Sequence, residues 1–179
     1  MSILSQEGKR TRMLAVSSAF LCAALMLSLA ESILFPAGIL PFPGAKPGLA
    51  NAAILLCATT IGKRYSAAVS FSRVLLMFFL FGNGTSVLYS LSGATLSFLG
   101  ILLFCNSQKI SFLGKSVICA ILHNTAQLIC ASFIIDLSMI TLFPWMLITA
   151  VICGAFTGIL LNFIYDPVYI HTKKFTRNT

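Results

Sequence analysis

A chain of 179 residues that is 58% hydrophobic and only 9% charged cannot cover a water-facing surface, because soluble domains carry about 25% charged residues. Twelve lysines and arginines stand against four acids, giving a net charge of +8. Composition therefore excludes an ordinary soluble domain and predicts an all-α, polytopic membrane protein.

Residues 1–12 read as a basic tail holding Lys9, Arg10 and Arg12, and 13–30 as the first apolar span. The same stretch, ending in Ser28-Leu29-Ala30, also has the form of a signal peptide. Its removal would leave five spans and upset the charge alternation of the loops. Ala15, Ala19 and Ala23 recur every four residues. Such a stripe allows close helix approach, within the bundle or to a partner helix.

The next stretch, ESILFPAGILPFPGAKPG, holds Pro36, Pro41, Pro43 and Pro47 with three glycines. Proline fixes φ and removes backbone donors, so a stiff extended loop over 31–47 is expected. Its Ile39, Leu40 and Phe42 should avoid water. The loop is either folded back over the outer mouth of the bundle or a plain connector.

Apolar segments 48–62 and 67–81 follow, both short of the ~20 residues of a straight span. Short helices are tolerated where they face protein or a cavity rather than lipid. Segments 87–105, 117–135 and 143–165 complete six predicted spans, with 166–179 as a basic tail. Asn83-Gly84-Thr85 is read as a chance match to a glycosylation sequon.

The loops fix the orientation. Lys63, Arg64, Lys109, Lys115, Lys173, Lys174 and Arg177 fall on the side of the N-terminal cluster, against Lys46 alone on the other. This positive-inside pattern places both termini in the cytoplasm. It accounts for the basic excess without nucleic acid. Trp145 and Tyr89 near outer ends, and Tyr65 and Tyr165 near inner ends, are suitable interfacial anchors. The six cysteines lie in apolar runs without a CxxC pair, which suggests packing rather than zinc or disulfides.

Arg73 lies nine residues beyond Arg64, roughly 13 Å into a ~30 Å core. An arginine there costs about 2.5–3.5 kcal/mol on insertion scales. Glu7 and Asp166 belong to the inner side, Glu31 and Asp136 near the outer ends. No acid is expected at the arginine's depth, although its side chain has the reach to extend toward Glu31. Arg73 either bonds to amides and carbonyls or receives an anion brought by a ligand.

His123 and Gln127 are four residues apart, hence on one helical face, with Asn124 adjacent. Together with Arg73 they predict a polar site near the midplane, reached from outside past Asn51, Lys46 and Glu31. The alternative is hydrogen bonding between helices, typically worth under about 2 kcal/mol in membranes. One histidine without a carboxylate or thiolate pair is a poor metal ligand set. Gly154 and Gly158 form a second small-residue stripe, for which internal packing is the expected use.

The stretches LPFPGAKPGLANAAILL, SRVLLMFFLFGN, LYSLSGATLSFLGILL and GKSVICAILHNTAQLICA together resemble the bacterial membrane family called Gx transporter, also catalogued as heptaprenyl diphosphate synthase component I. The resemblance covers about 40–131. Its matching positions are Gly44, Lys46, Gly48, Asn51, Arg73, Ser92, Gly93, His123, Asn124 and Gln127; Pro47 and Lys115 depart from it. That family is similar to the substrate-binding S components of energy-coupling-factor transporters. These are six-helix bundles with an outer lid after helix one, docked through an Ala-x-x-x-Ala stripe onto a coupling subunit driven by ATPases.

The resemblance implies a multi-pass protein of the bacterial inner membrane that binds a small anionic or polar solute. Arg73, His123, Asn124, Gln127, Asn51 and Lys46 are the implied binding residues, and Ala15, Ala19 and Ala23 the implied partner contacts. No cofactor is implied. The alternative is an accessory membrane subunit for isoprenoid or quinone synthesis. Prenyl diphosphate synthases of the usual kind hold magnesium with DDxxD motifs, because diphosphate needs a divalent clamp. This chain has only Asp136 and Asp166. It also lacks a P-loop, so a catalytic role is not expected and ATP use would fall to a partner.

Overall fold

The computed structural model describes residues 2–34, 46, 48–81 and 84–177. The elements are α1 (Ser2–Leu34), α2 (Ala50–Thr60), α3 (Lys63–Phe81), α4 (Gly84–Phe104), α5 (Phe112–Ile134), a 3-10 helix (Leu137–Leu142) and α6 (Phe143–Arg177). Among the described residues there is no strand, so the all-α expectation holds. Most of the expected lid, including Gly44 and Pro47, lies outside the described residues.

Among the described residues four helical stretches are long and apolar enough to cross a membrane: Glu7–Leu34, Gly84–Phe104, Phe112–Ile134 and Leu137–Thr176. Their outward faces are apolar. Leu103, Phe133 and Phe163 are each more than 70% exposed, a surface suited to lipid rather than water. The helices at the two ends outrun the predicted spans. α1 starts at Ser2 and passes residue 30 to Leu34, and α6 continues past residue 165, with Pro167 inside it, to Arg177.

α2 has 11 residues, about 16 Å of helix, so it is half of a span. It is apolar on almost every side, and such a helix is stable only in an interior. Ala50, Asn51 and every residue from Ala53 to Ala58 are buried. Its end is set by Gly62, whose φ of 106° lies in the region favouring glycine. The N–H groups of Ile61 and Gly62 both donate to the Cys57 carbonyl, closing the helix end. α3 then begins at once. The Ser66 hydroxyl donates to the Ile54 carbonyl at 2.7 Å, tying the two helices together.

α5 packs most extensively, against α6 on one side and α4 on the other. The α5–α6 approach depends on Gly154 and Gly158. A methyl group at Gly154 would lie 2.7 Å from the Val117 Cα, and one at Gly158 would lie 2.5 Å from the Leu113 Cα. This glycine stripe therefore serves internal packing, as expected. The same seam carries a hydrogen bond between the Ser116 and Thr157 hydroxyls at 2.7 Å.

Candidate binding site

On α1 the inward stripe is Ser17, Phe20, Ala24, Ser28 and Glu31, spaced at three or four residues as one helical face requires. Ser28 and Glu31 end this stripe and meet Arg73 of α3. The arginine is buried, and its Nη1 donates to the Ser28 Oγ at 3.0 Å. Its Nε and Nη2 have no partner.

Glu31 is buried as well. Its Oε1 accepts from the Leu49 backbone N–H, while Oε2 has no partner. The two charged groups lie within electrostatic reach of each other without a hydrogen bond between them. The expected reach of Arg73 toward Glu31 is thus observed. The expected start of the outer loop is corrected: α1 stays helical to Leu34, so Glu31 sits on its inward face instead of in the loop.

α5 supplies His123 and Gln127, both buried. The Gln127 Oε1 accepts from the Lys46 backbone N–H at 3.0 Å, so its Nε2 is the donor toward the His123 Nε2 at 2.7 Å. In a neutral ring the hydrogen then sits on Nδ1, which makes no well-formed hydrogen bond, although the Gly93 backbone lies within interaction range of the ring. The ring fits because two glycines flank it. A methyl group on Gly93 of α4 would meet the His123 Cε1 at 2.6 Å. One on Gly48 would meet the His123 Cδ2 at 3.2 Å and the Asn51 Nδ2 at 2.8 Å.

Asn51 opens α2. It is buried, and its Nδ2 has no partner. Lys46 is half-buried just ahead of it. Burial draws its ammonium below the usual lysine range, with Glu31 opposing that shift and Arg73 reinforcing it. Lys46 also lies within electrostatic reach of His123.

Five helices and the Lys46 segment thus converge on one buried cluster. It holds four unmatched donor atoms (Arg73 Nε and Nη2, Asn51 Nδ2, His123 Nδ1) and one unmatched acceptor, Glu31 Oε2. Such a set is suited to a polar group that offers mainly acceptors. Of the expected binding residues, Arg73, His123, Gln127, Asn51 and Lys46 come together. Asn124 points elsewhere: its Nδ2 donates to the Met146 carbonyl at 3.1 Å and lies 3.4 Å from the Thr149 Oγ1, on α6. Ser28 and Glu31 are the members that sequence reasoning did not place here. The three-to-four spacing of small and polar residues along α1 was the available signal.

Ala15, Ala19 and Ala23 are exposed on a different face of α1. Ala19 and Ala23 line an apolar groove of about 530 Å³ between α1, α2 and α6, beside Phe20, Leu56, Phe156 and Leu160. Among the described residues no group of three His, Cys, Asp or Glu is placed to hold a metal ion.

No curated protein and no solved structure matches the chain. A family model described as heptaprenyl diphosphate synthase component I matches residues 20–164, a stretch that contains every member of the buried cluster. The chain belongs to the heptaprenyl diphosphate synthase component I family.

Proposed function

We propose that this protein is the solute-binding subunit of a bacterial inner-membrane transporter, with six spans and both termini in the cytoplasm. The observation that supports this reading is the set of unmatched polar atoms on Arg73, Asn51, His123 and Glu31. An unmatched buried polar group costs about 1–3 kcal/mol, more when charged. A fold whose net stability is about 5–15 kcal/mol does not keep five of them together without use.

A carboxylate or similar acceptor group would take two parallel hydrogen bonds from the Arg73 Nε and Nη2. The amide of Asn51 and the ring N–H of His123 would complete its shell, and Glu31 Oε2 would accept from a donor elsewhere on the solute. The preferred solute is therefore small and anionic or zwitterionic. The segment between α1 and α2 would act as the outer lid. Its α2 end is fastened to the cluster, through Lys46 N–H on Gln127 and, just beyond it, Leu49 N–H on Glu31. Energy would come from separate ATPases through a coupling subunit, docked on the exposed Ala15, Ala19 and Ala23.

The test is Arg73→Ala in reconstituted membranes. Membrane insertion is retained and solute binding is lost. Misfolding of that variant, with His123→Ala and Gln127→Ala both fully active, would make these residues scaffolding.

The family description favours a second reading, an accessory membrane subunit that serves a separate isoprenoid-synthesising enzyme. Co-purification separates the two. An ATPase assembly supports the transporter, and a soluble prenyl synthase subunit supports the accessory role.

A further inference from the structure

A polar cavity of about 510 Å³ lies at the basic end of the bundle, between the turn that joins α4 to α5, the start of α5, and α6. Its polar wall residues include Lys115, Asn106, Gln108, Ser111, Asn162 and Tyr165, and no carboxylate lines it. Lys115 is only 7% exposed. Its Nζ donates to the Cys105 carbonyl at 3.0 Å and stands 5.2 Å from the centre of the Phe112 ring. One carbonyl and one ring leave the other hydrogens of a buried ammonium with nothing anionic to meet.

The position of this lysine adds to the imbalance. It stands in the first turns of α5, a helix of 23 residues without an acid in its first turn. Helix N-termini carry partial positive charge and favour anions, so a cation there is held against the dipole. The one acid near the wall is Asp166, which follows Tyr165 on α6 and is exposed. A buried cation, a positive helix end, side-chain amides and a phenol therefore surround a space the size of a small-molecule site. The cavity is separate from the Arg73 cluster, and nothing in the solute-binding reading uses it.

We infer that this cavity binds a phosphate group, with the Lys115 ammonium as its charge partner and the amides of Asn106, Gln108 and Asn162 as neutral donors. The phosphate belongs either to a free phosphorylated compound or to a lipid headgroup reaching in from the adjacent leaflet. Ile110 and Phe112, which also line the space, would pack against the body that carries it.

The test uses the full chain in a maltoside detergent, which carries no phosphate. Isothermal titration with inorganic phosphate and with glycerol phosphate probes the free source. Native mass spectrometry after adding phosphatidic acid probes the headgroup source. Binding from either source supports the inference if Lys115→Gln weakens it about tenfold or more, and if Asn162→Asp, a wall carboxylate at an exposed position, does the same. Asn162→Asp keeps the test decisive should Lys115→Gln fold poorly. The inference is overturned if neither source binds at millimolar concentration. Equal binding by the variants, or by chloride at matched ionic strength, also overturns it.

Discussion

Arg73 and Glu31 are buried within electrostatic reach of each other, and a coupling between them can be measured. Removing one member of a buried charged pair costs about 3–5 kcal/mol, because the other is left uncompensated. Arg73→Met and Glu31→Leu should each lower unfolding stability in detergent by about that much, while the double variant loses less than the sum. Additive losses would mean that the two charges do not communicate. Asn51→Leu should behave in the opposite way. Its idle Nδ2 contributes nothing to the empty protein, so stability should hold or rise while solute binding falls. A loss of stability with binding intact would assign the amide to the scaffold. Lys46 supplies a pH signature. Its ammonium is held below the ordinary 10.5 by burial, so the charged form is disfavoured in the folded state. Fold stability should therefore rise as pH climbs through the window between the lowered value and 10.5, while affinity for an anionic solute falls. Lys46→Arg should keep affinity flat across that window. Arg73, His123, Gln127 and Asn51 were legible in the sequence because a polar residue in an apolar helix is conspicuous. Glu31 was not, because an acid at the edge of an apolar run looks the same in a loop as in one more turn of helix.

At the scale of elements, the α5–α6 seam is set by Gly154 and Gly158. Gly158→Ala places a methyl group against backbone, 2.5 Å from the Leu113 Cα, where no rotamer change can relieve it. A stability loss of about 1–3 kcal/mol is expected, as for overpacked cores. Gly8→Ala, with nothing within 4 Å of the added carbon, should be neutral or slightly stabilising. Equal effects at both positions would contradict the seam. The four-residue spacing of these glycines could be read from sequence, but their partner helix could not, since spacing gives a face and not a neighbour. The short second segment was also legible. Its apolarity and short length predict a sheltered helix, and α2 is one. The helix ends were less accessible. α1 and α6 extend through residues that composition assigned to tails and loop, past Gly8 and Pro167 respectively, so neither a polar run nor a single helix breaker marks their ends.

For the whole molecule, the solute-binding proposal has solute reach the buried Arg73 cluster from the side of the membrane opposite the basic cavity. Reporter fusions test this. A fluorescent protein at Thr179 should be bright and a phosphatase there silent, with the reverse at Asp136 between α5 and α6. Chain-wide composition made the membrane class legible, and the loop charges supply the proposed orientation that these fusions test. The proposed solute was not legible, because the unmatched groups of the cluster come from where five helices meet. The most direct test of the central claim is native mass spectrometry of the chain after gentle extraction, comparing wild type with Arg73→Ala and Asn51→Leu. The account predicts one small acidic or zwitterionic molecule bound per wild-type chain and none in either variant. Wild type and both variants carrying the same lipids and nothing else would contradict it.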